Sequence, residues 1–205
     1  MWEVVMIIFN RLKSKFGLFR ITVLELLFAF ALGILIAILT RPTYSVNADY
    51  IDTLAYMDLA HIDKLQLLFF IIQYRVKEYL LIWLFSITVL AVPYNTLFVL
   101  YKGFISGFVV GVLAVLYGYQ GVLYGLGLAT PHYLVYIIVL LQTVTLSYKM
   151  HERVTSGIYN KRGRLFLNQL PSFLVLLSMT IIGCFIETFW NPPILAYLKN
   201  ALGIH

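Results

Sequence analysis

The sequence predicts an all-α, polytopic membrane protein of about five transmembrane helices, its N-terminus cytoplasmic and its C-terminus extracytoplasmic. Three observations carry that expectation. First, hydrophobic residues make up 61% of the 205 positions and charged residues 12%, and the mean hydropathy is +0.90. A soluble domain carries about 25% charged residues. A chain this apolar cannot cover itself with polar surface, so lipid is its solvent. Second, residues 79–118 are nearly uninterrupted apolar sequence, broken once at Pro93-Tyr94-Asn95. A bilayer core of about 30 Å takes roughly 20 helical residues to cross. A run about twice that long, with a polar break containing proline, is two crossings folded back on each other. Third, the basic residues cluster just beyond apolar runs, whereas 41–65 is acidic.

In chain order the elements make one membrane domain over 1–205. Residues 1–16 read as an interfacial helix carrying Arg11, Lys13 and Lys15. Their charges come after the apolar residues, unlike the layout of a signal peptide. The first span covers 18–40 and is stopped by Arg41-Pro42. Residues 41–65 form a polar extracytoplasmic loop with Asp49, Asp52, Asp58 and Asp63. Residues 66–78 read as an interfacial helix leading into a short second span, 79–92, which borrows residues from it. The third span is 95–118. Residues 119–130 are too short and Gly-rich for a crossing; a loop and a shielded re-entrant segment are both open. The fourth span is 131–148. A basic cytoplasmic loop, 149–167, precedes the fifth span, 168–190, which ends at Asn191-Pro192-Pro193. Residues 194–205 read as a final amphipathic turn or two.

Positive charge sets the orientation. Arg11, Lys13, Lys15 and Arg20 flank the first span, and Lys149, Arg153, Lys161, Arg162 and Arg164 come after the fourth. Both flanks belong in the cytoplasm, and the acidic segment outside. Five crossings satisfy all three assignments. The net charge of +6 therefore reads as topology, and nucleic acid is not an expected partner. The single cysteine, Cys184, lies in an apolar run that keeps a thiol inert. It cannot form an intramolecular disulfide, and no spacing suggests a metal or cofactor. No nucleophile elbow, His-Glu metal motif or pair of intramembrane aspartates is present, so no catalytic residue is assigned.

Two kinds of candidate residue remain. Gly103, Gly107 and Gly111 recur every fourth residue and form a smooth stripe for close helix packing, within the chain or against a partner span. The second kind is ionisable residues inside spans, which usually face a partner or a cavity. Glu25 and Lys102 lie at similar depth, roughly 10 Å from the cytoplasmic side. Either they pair, or each snorkels alone to the headgroups. His132 and Glu187 share a level near the outer side. A hydrogen bond between helix ends is the favoured expectation; independent interfacial residues and a proton relay are the other two. The many tyrosines and tryptophans fit interfacial belts.

Four motifs carry a family likeness: Ile82-Trp83-Leu84-Phe85-Ser86 and then Val92-Pro93, Lys102-Gly103-Phe104 through Gly107-Phe108 to Gly111, Pro131-His132, and Phe185-Ile186-Glu187 before Pro193. In order and at this spacing they resemble the stage II sporulation protein M family, from about 66 to 195. Tyr133 and Tyr136 stand where broader relatives often have a Gly and then a Glu, which moves the chain toward the sporulation branch. Ala91 stands where a Gly is common. The resemblance implies a non-enzymatic scaffold in the mother-cell membrane during engulfment. There it would hold the peptidoglycan-degrading stage II sporulation proteins D and P. Self-association is left open. The alternative is a membrane subunit of a transporter or channel working with a cytoplasmic ATPase, with Glu25, Lys102 and His132 along a pathway. An intramembrane hydrolase is a third reading.

Overall fold

The computed structural model describes residues 17–41, 63–88, 90–155 and 162–202. The expected surface helix 1–16, most of the polar loop 41–65, residues 156–161 of the basic loop and the last three residues of the tail lie outside them. The described residues form six helices and no strand: α1 (Leu18–Leu39), α2 (Lys64–Phe85), α3 (Ala91–Ala129), α4 (His132–Thr155), α5 (Arg162–Phe189) and α6 (Asn191–Leu202). The protein is an all-α, polytopic membrane protein. Helices α1, α3 and α4, and residues 167–189 of α5, are each long and apolar enough to cross a bilayer. Their outer faces carry large apolar side chains such as Phe28, Leu39, Leu97 and Leu134, as a lipid solvent demands.

The second helix differs from expectation. Asp63 caps it by accepting the Leu65 N–H at 2.9 Å, and it then runs unbroken to Phe85. Residues 66–78 therefore belong to the same helix as 79–85. The break falls at 86–90, where Ser86 and Thr88 turn the chain. Pro93, expected to end a span, lies in the first turn of α3. Its missing N–H has no helical partner there in any case.

The contacts fix the helix directions. Leu26 meets Gly103, Phe30 meets Gly107 and Ile34 meets Gly111, so α1 and α3 run parallel. Helix α4 runs against α3: Asn95 donates to Ser147 Oγ at 2.7 Å, while Ser106 Oγ lies 2.9 Å from Tyr133 Oη. Helix α5 runs against α4. Tyr136 meets Gly183 and Cys184 near one end, and Met150 shares a cluster with Phe173 near the other. A second cluster joins Leu18, Ile82, Val92, Val99, Val144 and Tyr148 of four helices.

Helix α3 is broken at Gly118, whose φ of 61° and ψ of −137° only glycine adopts readily. There the chain reverses. A Cβ on Gly125 would lie 3.3 Å from Leu113 Cδ1 and 3.5 Å from Val110 Cγ2. Residues 119–129 thus return alongside α3 as a short antiparallel helix. Its end, through Thr130-Pro131, leads into α4 at the level of Ser106, well inside the length of α3. Residues 119–129 are helical, so the loop, one of the two expectations for 119–130, is not what forms there.

Candidate functional site

The glycine stripe is filled from within the chain. A Cβ on Gly103 would stand 2.6 Å from the Leu26 carbonyl oxygen, one on Gly107 2.7 Å from the Phe30 carbonyl carbon, and one on Gly111 2.7 Å from Ala37 Cβ. The complement on α1 is Ala29, Gly33 and Ala37, all buried. They repeat the four-residue spacing of α3. That second stripe is legible in the sequence and pairs with the first, since small residues on both sides let backbones approach.

Between α2, α3, α4 and α5 lies a row of alternating charges. Lys102 Nζ on α3 bonds Glu78 Oε1 on α2 at 2.5 Å. One turn earlier, Arg75 Nη1 stands 3.9 Å from Glu78 Oε2. The Arg75 Nη2 group reaches Glu187 on α5, at 3.2 Å to Oε1 and 3.4 Å to Oε2. The Tyr136 hydroxyl on α4 donates to Glu187 Oε2 at 2.7 Å. Aromatic rings flank the cations: Arg75 lies 4.4 Å from the Tyr136 centroid, and Lys102 lies 5.4 Å from those of Tyr74 and Phe98. The side chains of all four charged residues are only 18–19% exposed. Charges in such a place persist because each has a partner of opposite sign and further hydrogen bonds.

Three expectations change here. Lys102 does not pair with Glu25, although the parallel α1 and α3 hold them at similar depth. Lys102 faces α2. Glu25 turns toward Thr96, whose hydroxyl lies 2.9 Å from Tyr148 Oη. His132 stands beside Glu187, with Nε2 3.9 Å from Oε1, too far for the expected hydrogen bond. Arg75 and Tyr136 take that carboxylate instead. Cys184 is buried, but its Sγ has a polar neighbour, the Tyr136 hydroxyl at 3.4 Å.

Sequence reasoning missed Arg75 and Glu78 because 66–78 read as interfacial. A signal was present. Leu68, Ile71, Arg75, Glu78 and Ile82 are spaced by three or four residues, which is one continuous inward face.

A cavity of about 620 Å³ adjoins the charged row. Arg75, Glu78, Lys102, His132, Glu187 and Asn191 line its polar part, and Leu26, Phe30, Phe98 and Val110 lie among its apolar walls. His132 is 3% exposed. Its Nδ1 and the Asn191 Oδ1 are buried without a hydrogen-bond partner. Among the described residues no group of His, Cys, Asp or Glu could hold a metal ion.

The model of the family described as stage II sporulation protein M matches residues 22–192. That stretch contains the glycine seam, the charged row and the cavity. No curated protein and no solved structure matches the chain.

Proposed function

Because the chain belongs to the stage II sporulation protein M family, we propose that this sporulation membrane protein is a non-enzymatic scaffold. It would anchor or localise extracytoplasmic peptidoglycan-degrading proteins during engulfment, with stage II sporulation proteins D and P as the partners. The observation that carries the reading is the closed charged row. Lys102–Glu78 and Arg75–Glu187 tie α2, α3 and α5 together with no net charge left over. Such a bundle is a fixed platform. Five crossings fit it: α1, α2, α3, the segment 119–129 continued by α4, and α5. Helix α2, 22 residues long like α1, spans about 33 Å. Its charges Arg75 and Glu78 face inward to partners. The excess of Lys and Arg supports a cytoplasmic N-terminus. The connection 41–65 and the turn at Gly118 then belong to the outer side, where such partners act.

The experiment is a tagged pull-down from sporulating cells in mild detergent, read by mass spectrometry. Recovery of the two peptidoglycan-degrading proteins supports the scaffold. Recovery of a cytoplasmic ATPase without them supports a transporter or channel subunit instead. One observation favours that second reading: the cavity holds Lys102 and His132 beside a helix break at 130–131. Carriers place substrate sites at such interrupted helices.

A further inference from the structure

The scaffold reading leaves the cavity beside the charged row unused. Its volume, about 620 Å³, is that of a small-molecule site, and its lining is mostly apolar with a few convergent polar groups. Its rim includes Ile105, Val109, Leu126 and Leu134, large apolar side chains exposed on the outside of the bundle. In a membrane protein those residues meet hydrocarbon, so the mouth opens toward lipid tails.

The polar end restricts the occupant. Arg75, Glu78, Lys102 and Glu187 already balance one another. A charged head group would add an uncompensated charge in a low-dielectric place, which is strongly unfavourable. Two groups remain open there: His132 Nδ1, on a ring almost wholly buried, and Asn191 Oδ1. Buried polar atoms without partners are costly. A hydroxyl both donates and accepts, so it suits an imidazole nitrogen and an amide oxygen alike.

We infer that this cavity binds a neutral lipid bearing a hydroxyl head, with the hydroxyl at His132 and Asn191 and the chain passing out between Ile105 and Leu134. Such a site is independent of the scaffold reading and of whether the peptidoglycan-degrading partners are recovered.

The test uses the purified full chain in nanodiscs and a long-chain alcohol carrying a photoactivatable diazirine. The expected result is crosslinking to peptides of α3 and α4 around Ile105 and Leu134. Unlabelled hexadecanol should compete, and the matching fatty-acid anion at pH 8 should not. His132→Phe and Asn191→Leu should each weaken labelling on the order of tenfold, the loss of one good hydrogen bond. If removing those polar groups unfolds the bundle, Leu134→Trp decides. It fills the mouth from an exposed position, and labelling should vanish while thermal stability holds. Labelling that survives all three substitutions, or equal competition by the anion, overturns the site. Absence of any crosslink in α3 and α4 does the same.

Discussion

Glu78 Oε1 and Lys102 Nζ lie 2.5 Å apart, on helices that run in opposite directions and leave opposite sides of the turn at 86–90. The pair draws α2 against α3 through one strong contact between half-buried charges. Removing only the cation should leave the row one positive charge short, with Arg75, 3.9 Å from Glu78 Oε2, shared between two carboxylates. Lys102→Met should therefore destabilise by about 3 kcal/mol, whereas Glu78→Met with Lys102→Met should recover much of the loss. Thermal unfolding of the three variants in detergent checks both statements. Equal stability of Lys102→Met and the parent would remove the pair from the account.

The seam between α1 and α3 gives a steric prediction. A side chain at Gly107 meets the Phe30 backbone, which cannot swing aside. Overpacking typically costs about 1–3 kcal/mol, and Gly107→Val should sit at or above the top of that range. Gly125→Ala meets nothing nearer than the flexible tip of Leu113 at 3.3 Å and the Val110 methyl at 3.5 Å, so it should be tolerated. Unfolding midpoints of the two variants, measured side by side, would disagree with the structure if their order were reversed.

Gly118 tests conformation without packing. A Cβ there meets nothing within 4 Å, yet φ is +61°. Gly118→Ala should cost about 1–3 kcal/mol from backbone strain alone. Gly127 offers the contrast, since a Cβ there meets the Leu198 side chain of α6 in ordinary helical backbone. A repacking Leu198→Ala change should rescue Gly127→Ala but not Gly118→Ala. Rescue of both would mean that the hairpin is not strained at 118.

At the other end of the charged row, Tyr136 donates to Glu187 at 2.7 Å. Tyr136→Phe should lose about 1.5–3 kcal/mol, as for a hydrogen bond to a charged group. In a Glu187→Gln background the same change should cost less, because the acceptor is then neutral. A double-mutant cycle on unfolding measures the difference. A coupling of zero would place the hydroxyl elsewhere.

Particular residues show what could be read in advance. Gly103, Gly107 and Gly111 were legible as a packing stripe because a four-residue repeat is a property of one helix. Their partner stripe, Ala29, Gly33 and Ala37, carries the same signal with alanines in place of two glycines. Arg75 and Glu78 were hidden because three ionisable residues in 75–78 lower the hydropathy of α2, and a window average cannot see that two of them turn inward. The His132–Glu187 neighbourhood was legible in depth but not in bonding. Arg75 arrives from a third helix and takes the carboxylate first.

The sequence by itself determined that this chain is helical, embedded in lipid and built around close helix contacts. Those properties come from composition and from periodicity along a single helix axis. It also determined which ionisable residues stand inside apolar segments. Only the tertiary structure decided who meets whom. Glu25 and Lys102 share a depth, yet depth is one coordinate. Each residue step turns a helix by about 100°, so a partner is set by rotation about the axis as well. That rotation is fixed by how all the helices pack together, here by the α1–α3 glycine seam. The seam leaves Lys102 facing α2 and Glu25 facing Thr96.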